Sequence, residues 1–325
     1  MPALIETNGI TKTYASRGGL FDLLKQKKYL HALYKVSLSI EKGEVLGLVG
    51  ESGSGKSTFG QCLMGLTETD DGTIRVDGGD VTHATADQVR DMRRRFQIIY
   101  QDPFASLSPR MNIRDIICEP LDIHRVGTQK ERTARAAELI EIVGLRAEHL
   151  LRFPHEFSGG QRQRISIARA LALNPEFILA DEAVSALDVS LQAQIINLLV
   201  EMQRQFSLTM LFITHDLSVV EYLCDRVAVL YMGRVVEVGR TKDLCSNPAH
   251  PYSQVLLSAI PNIDPRRKKK RLFMRGERFS PYELPETGCV FAKRCPQGRP
   301  ECAAITPKER VLPESVDHRV SCHFA

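Results

Sequence analysis

Short apolar runs alternate with helix-like segments along most of the chain. The runs Val45 to Val49, Phe177 to Ala180 and Met210 to Thr214 are bounded by glycine or polar residues. Runs of this length and composition are typical of strands buried on both faces. The pattern predicts helices over residues 55–65, 131–143, 190–205 and near residue 218. Strands that alternate with helices predict an α/β fold with a parallel sheet.

Two other parts of the chain alternate apolar and polar residues, as half-buried strands do. They are the opening segment, with Leu4 to Glu6 and Tyr34 to Ile40, and the later segment Arg226 to Val238. The later segment should form a strand pair that turns at Met232-Gly233. Between the opening strands, residues 15–30 are basic and irregular, which predicts an insertion outside the core.

The composition changes after about residue 261, where proline and cysteine become frequent. The run Arg266 to Arg271 is entirely basic and indicates a solvated linker, with contact to anionic lipid as the alternative. A small extension should follow, too short to build a large core of its own. Four of the chain's eight cysteines lie there: Cys289, Cys295, Cys302 and Cys322. In a reducing compartment such a group favours metal binding over disulfides.

The overall charge argues against a nucleic-acid partner. The 325 residues include 43 basic and 39 acidic side chains, a net charge of +4, and no tryptophan. The first residues lack the charged and apolar regions of a secretory signal, and no segment approaches the roughly 18 consecutive apolar residues that span a bilayer. We therefore expect an intracellular chain whose membrane association comes through a partner.

Residues 50–58, Gly-Glu-Ser-Gly-Ser-Gly-Lys-Ser-Thr, match the phosphate-binding P-loop pattern in full. Glycines let backbone N–H groups wrap the phosphates, and the N-terminus of the following helix adds a positive dipole end. Lys56 should reach the β- and γ-phosphates, and the Ser57 hydroxyl should bind Mg²⁺. The alternative, a glycine-rich turn without function, is disfavoured by the strand before the motif and the helix after it.

A pair of acidic residues follows the apolar run at 177–180. Asp181, at the strand end, should lie near the metal. Glu182 points elsewhere and can polarise an attacking water. Two acids at this position are unremarkable alone, but together with a P-loop they indicate nucleotide hydrolysis.

Residues 157–164, Phe-Ser-Gly-Gly-Gln-Arg-Gln-Arg, place small residues at a helix start, where N–H groups can face an anion. The segment resembles the signature motif of ABC transporter ATPases. The resemblance implies a RecA-like parallel sheet core with an antiparallel β subdomain in residues 1–260. It also implies a helical subdomain at about residues 102–170 and a Cys-rich extension at 261–325. In this family the signature contacts the γ-phosphate of ATP held by the opposite subunit, so the active site is shared by two subunits.

The same resemblance assigns further roles. Tyr14 matches the aromatic residue that stacks on adenine, Gln101 the Q-loop glutamine, and His215 the switch histidine. Ala183 replaces the usual proline after the catalytic glutamate, which removes no chemical group. The implied catalytic residues are Glu182, His215 and Gln101, and the implied Mg²⁺ ligands are Ser57, Gln101 and Asp181. The implied ATP-binding residues are Tyr14, Gly50, Ser52, Gly53, Ser54, Gly55, Lys56, Ser57, Thr58, Ser158, Gly159, Gly160, Gln161 and Asp188.

Three segments resemble the di- and oligopeptide (and nickel) importers within that family: residues 101–110, 186–190 and 247–252. The implied partners are two transmembrane permease subunits, a second ATPase subunit that is a paralogue rather than a copy, and, indirectly, an extracytoplasmic solute-binding protein. The implied location is the cytoplasmic face of the cell (inner) membrane, as a peripheral subunit. A nickel or other solute importer is the first alternative. A DNA-repair or translation ATPase is disfavoured, because the chain has one cassette and no sustained heptads.

The C-terminal cysteines resemble those of importer extensions that hold a 4Fe-4S cluster, and this is the expected cofactor beside ATP and Mg²⁺. Their spacing, C-x5-C-x6-C-x19-C, differs from that of ferredoxin motifs. Tetrahedral Zn²⁺ on four thiolates, or a metal-free group of small apolar residues, are the alternatives.

Overall fold

The computed structural model describes residues 3–15, 29–260, 271–277, 280, 282, 284–285, 287–313 and 317–325. The chain packs as two compact units, each built from segments distant in sequence. Among the described residues, the first unit comprises residues 41–45 and 84–214, and the second comprises residues 3–15, 29–40, 46–83 and those described after residue 214. Most of the predicted insertion at 15–30 and all but the last residue of the basic run lie outside the described residues.

The predicted α/β elements are present. In chain order the strands are β1 (Ala3–Ala15), β2 (Tyr29–Val36), β3 (Ser39–Glu41), β4 (Val45–Val49), β5 (Asp71–Val76), β6 (Gly79–Asp80), β7 (Phe96–Ile99), β8 (Phe177–Asp181), β9 (Thr209–Thr214), β10 (Arg226–Tyr231), β11 (Arg234–Arg240), β12 (Arg310–Val311) and β13 (Arg319–Val320). The α-helices are α1 (Lys56–Leu63), α2 (Ala86–Arg95), α3 (Pro103–Ser106), α4 (Ile113–Ile123), α5 (Gln129–Ile142), α6 (Gly159–Leu171), α7 (Val189–Phe206), α8 (Leu217–Leu223), α9 (Thr241–Ser246), α10 (Pro251–Ser258) and α11 (Pro300–Ala304). Short 3₁₀ helices cover Ala147–Leu151 and Pro154–Glu156.

The first unit contains a parallel sheet and a group of helices. Strand β8 pairs in parallel with β7 on one side and β9 on the other, and Ala180 is in register with both Ile99 and Phe212. These residues are fully buried, as the continuous apolar runs predict for a sheet covered on both faces. Helices α4, α5 and α6 pack on one another within residues 113–171, inside the range predicted as a helical subdomain.

The second unit combines parallel and antiparallel strands. Strand β4 pairs in parallel with β10, with Val49 opposite Val229, and β10 pairs antiparallel with β11. The turn between them falls at Met232-Gly233, as predicted. A separate antiparallel sheet has the order β2-β1-β5-β6. The predicted strand over residues 34–40 is in fact two strands, β2 and β3, which are separated by residues 37 and 38. Leu38 bonds both the backbone and the hydroxyl of Thr7 there.

The C-terminal extension is joined to the second unit by strand pairing and a buried carboxylate. Strand β13 pairs with β11, with Val320 opposite Glu237. The Glu237 carboxylate accepts from the backbone N–H groups of Ala249 and His250, at 2.7 and 2.9 Å, and contacts His318 Nε2 at 2.7 Å. Burial lowers the pKa of His250 to about 4, so this ring is neutral at ordinary pH. A buried carboxylate with three partners is well compensated for the loss of water.

Candidate active site

The phosphate loop lies between β4 and α1, in the second unit. Two of its glycines are required by close approaches of the backbone. A Cβ on Gly50 would overlap the carbonyl oxygen of Leu230, and a Cβ on Gly55, which has φ +106°, would overlap that of Ala32. The loop therefore runs directly against β10 and β2, which leaves no space for a side chain at either position.

Inside the loop, Lys56 is 4% exposed, and its ammonium donates to the carbonyls of Gly50 and Glu51 at 2.8 and 3.1 Å. The backbone of Ser54 is held at both ends, since its N–H donates to Glu51 O and its carbonyl accepts from Gly233 N–H. No side chain caps the start of α1 and its first turn holds no acidic residue. The arrangement leaves a helix N-terminus beside a lysine, which is the donor set that a phosphate chain requires.

The predicted water-activating residue and the Q-loop glutamine lie together in the first unit. Gln101 Nε2 donates to Glu182 Oε2 over 3.0 Å. Glu182 follows the last residue of β8, Asp181, and its N–H donates to Ile213 O on β9. Its φ of +48° is uncommon for a residue with a side chain, and such strain concentrates at functional sites. The backbone conformation of Glu182 thus sets the direction of its side chain, and the Gln101 amide hydrogen-bonds its carboxylate.

The signature segment begins α6 with a capping box. Ser158 N–H donates to Gln161 Oε1 at 3.0 Å, and Gln161 N–H donates to the Ser158 hydroxyl at 3.4 Å. Gly160 is buried, and a Cβ there would lie 3.0 Å from the Leu191 side chain. Asp188 caps α7 by accepting from Leu191 N–H at 3.0 Å. The signature and the predicted D-loop are therefore packed side by side, and two of the predicted ATP-binding side chains also cap helices.

The remaining residues predicted to act on the nucleotide belong to the second unit. The Tyr14 ring on β1 is 37% exposed, and Lys12 Nζ lies 5.6 Å from its centroid. His215 directly follows β9 and is exposed. An exposed aromatic ring is suited to stacking on a base, because it leaves one face open.

Arginines of α6 are functional candidates that the sequence analysis missed. Arg162 lies over the Phe104 ring at 4.1 Å, and Arg169 donates to Ser106 O at 3.0 Å and to Glu119 Oε2 at 2.8 Å. These two arginines connect the signature helix α6 to the segment that follows Gln101. Their separation of seven residues, which places both on one helix face, is the signal that could have identified them.

The four C-terminal cysteines line one small cavity, together with His250 and Phe291. All eight cysteines of the chain are free thiols. Burial raises the pKa of the Cys289 thiol to about 11, with a further contribution from the neighbouring cysteines. Within the part of the chain that the structure describes, no group of three or more Cys, His, Asp or Glu side chains is arranged to hold a metal ion.

Comparison with known proteins gives the family of this chain. The ABC transporter family profile matches residues 33–185, and the profile described as oligopeptide/dipeptide transporter, C-terminal region, matches residues 236–302. The Bacillus subtilis oligopeptide transport ATP-binding protein AppF is 47% identical over 99% of this chain and 97% of its own length. A Brucella ovis protein named for peptide import ATP binding is 51% identical over 94% of each chain.

Solved structures show the same fold. The dimeric ATP-binding cassette MJ0796 bound to ADP and phosphate has a TM-score of 0.64 and 30% identity, covering 73% of this chain and 98% of its own. The Clostridium perfringens cassette cbiO1 has a TM-score of 0.65 and 27% identity, covering 76% of this chain and 92% of its own. The fold and site thus define a nucleotide-hydrolysing cassette. The chain belongs to the ABC transporter family, as an ATP-binding ATPase subunit, and the predicted α/β P-loop ABC ATPase fold is confirmed. Across the described ranges no helix is both long and apolar enough to cross a bilayer.

We predict that Glu182→Gln retains ATP binding and loses most hydrolysis, by about 10²- to 10⁴-fold, because an amide cannot take the proton of the attacking water. The Gln101 contact can persist in this variant, so the loop geometry is preserved. Steady-state phosphate release and nucleotide titration would measure the two effects.

Glu176→Gln is the matched control, since Glu176 precedes the same strand and pairs with Arg95 at 2.7 Å. This variant should hydrolyse ATP as the wild type does. Phosphate release by Glu182→Gln within a few-fold of wild type would show that Glu182 is not the base.

Proposed function

We propose that this chain is the ATPase subunit of a di- or oligopeptide importer and couples ATP hydrolysis to import. The observation that carries this proposal is the match of residues 236–302 to the C-terminal region of oligopeptide/dipeptide transporters. In this structure the described part of that region includes the buried residues His250 and Tyr252 and most of strand β11. These residues belong to the second unit.

The proposed mechanism follows from the chemistry of the site residues. Lys56 and the backbone N–H groups of the phosphate loop bind the β- and γ-phosphates. Glu182 orients and deprotonates a water for attack on the γ-phosphorus, the bond to the bridging β–γ oxygen breaks, and ADP leaves. Gln101 holds the carboxylate in place. His215 donates a hydrogen bond to the γ-phosphate as charge develops on it. Tyr14 stacks on the adenine.

When bound, Mg²⁺ would supply charge neutralisation at the phosphates. Its proposed ligands are the oxygens of Ser57, Gln101 and Asp181. A hydroxyl, an amide and a carboxylate are the hard donors that this ion prefers, so the residues fit the ion by type.

Hydrolysis is proposed to need a second ATPase subunit, whose signature residues complete the site on this chain. Ser158, Gly159, Gly160 and Gln161, with Asp188, would act on the nucleotide held by that partner. We propose a paralogue as the partner, two transmembrane permease subunits above the pair, and a solute-binding protein on the far side of the membrane. This chain would then work at the cytoplasmic face.

We also propose that Cys289, Cys295, Cys302 and Cys322 hold a 4Fe-4S cluster. The support is that the four thiols line one cavity. Bound metal would keep the thiols deprotonated, although burial raises the pKa of Cys289 and Cys295, and would cross-link a segment with little core of its own.

The importer assignment predicts that this chain co-purifies with two multi-spanning membrane proteins and has no peptide affinity when isolated. Peptide-stimulated ATP hydrolysis should require the assembled complex and the binding protein, because these bias the closed state. A complex carrying Lys56→Ala should assemble and fail to transport. Direct micromolar peptide binding to the isolated chain, or uptake of nickel in place of peptide by the vesicle-reconstituted complex, would contradict the assignment.

The cluster assignment predicts brown protein after anaerobic purification, with about four irons per chain. Cys302→Ser should lose iron and sulfide and loosen the extension in limited proteolysis. Cys245→Ser, which alters a cysteine outside the cavity, should change neither. About one zinc per chain, or no metal, would overturn the cluster while leaving the ATPase assignment intact.

A further inference from the structure

The C-terminal extension contacts the phosphate loop through Arg294. Arg294 Nη1 donates to Glu51 Oε2 over 2.9 Å and lies 3.4 Å from the Tyr231 hydroxyl. The side chains of Arg294 and Glu51 are 16% and 26% exposed. Because both groups are largely withdrawn from solvent, water and salt screen their attraction less than they screen a surface pair.

Glu51 is the second residue of the loop and makes several of its contacts. Its backbone N–H donates to the Tyr252 hydroxyl over 2.9 Å, and its carbonyl accepts from the Lys56 ammonium over 3.1 Å. Its carboxylate, however, adds a negative charge to a loop that must bind the negative phosphates of a nucleotide. The Arg294 guanidinium is the counter-ion that offsets this charge.

The turn that carries Arg294 is itself well ordered. Its N–H donates to Phe291 O over 2.9 Å. The Phe291 ring packs 5.1 Å from Tyr231 and 5.3 Å from Tyr252. Burial opposes ionisation of the guanidinium, but the hydrogen bonds to Glu51 and Tyr231 outweigh it and raise the pKa of Arg294. The turn packs on buried aromatic rings and therefore places the Arg294 guanidinium beside the loop.

We propose that Arg294 is a positioning residue of the nucleotide site: it holds Glu51 and neutralises its charge, so that the C-terminal extension takes part in ATP binding. The backbone position of Glu51 and the charge of its side chain depend on different residues. Tyr252 and Lys56 fix the backbone of Glu51, whereas Arg294 acts on its side chain. Loss of Arg294 should thus weaken binding through charge, and removal of the Glu51 charge should compensate for it.

Nucleotide titration of the full-length chain tests this proposal. Arg294→Gln replaces the cation with a shorter, neutral side chain and leaves Glu51 charged, so we expect the ATP Kd to rise about five- to tenfold. The ADP Kd should rise less, because ADP carries less negative charge. Arg294→Lys keeps the charge and should bind ATP within about twofold of the wild type.

The decisive variant is Glu51→Gln in the Arg294→Gln background, which should restore ATP affinity to within about twofold of the wild type. Arg319→Ala is the matched control, because it breaks an Arg–Glu ion pair inside the extension, to Glu309 at 3.0 Å, and should leave ATP affinity unchanged. Wild-type affinity in Arg294→Gln, or failure of Glu51→Gln to restore binding, would overturn the proposal.

Discussion

Two close approaches between backbones determine the shape of the phosphate loop. The loop passes Leu230 of β10 at Gly50 and Ala32 of β2 at Gly55, so closely that neither position has space for a Cβ. Strands distant in sequence therefore set the path of the loop, and the position of the Lys56 ammonium follows from it. The remaining chemistry depends on this path, because a water can be directed at the γ-phosphate only when the phosphate is held in a fixed place.

Local signals predicted the elements around this loop well. The run Val45 to Val49 forms β4 with the expected bounds, because a short apolar run next to a P-loop has few other structures available to it. The hydrogen bond between Gln101 and Glu182 joins residues that are 81 positions apart. Only the order of motifs shared with the ABC family indicated that these two residues act together.

The contact between Arg294 and Glu51 could not be predicted in this way. The two residues are separated by 243 positions; Glu51 occupies an unspecified position of the P-loop pattern, and Arg294 lies in no motif. The sequence indicates a change of composition near residue 261 and thus suggests an appendage. In the structure β13 joins β11, Glu237 is buried against His318, and the described part of the extension lies in the same unit as the phosphate loop.

Several of the residues predicted to bind the nucleotide also stabilise the local structure, which affects how variants must be interpreted. Ser158 and Asp188 are the N-caps of α6 and α7, and loss of such a cap costs about 1 kcal/mol. A substitution at either position therefore combines a structural cost with any effect on catalysis. A control that loses the same kind of cap elsewhere separates the two, and Thr128 offers one, because it forms a capping box with Glu131 at the start of α5.

The central claim is that this chain binds ATP on its own phosphate loop and acts through its signature on the ATP of a partner. The most direct measurement compares Ser158→Arg with Thr128→Arg, recording the ATP affinity of the isolated chain and the turnover of the assembled complex. The account predicts that Ser158→Arg binds ATP within about twofold of the wild type while turnover falls more than about tenfold, and that Thr128→Arg changes neither by that much. A parallel fall of affinity and turnover in Ser158→Arg would contradict the shared site.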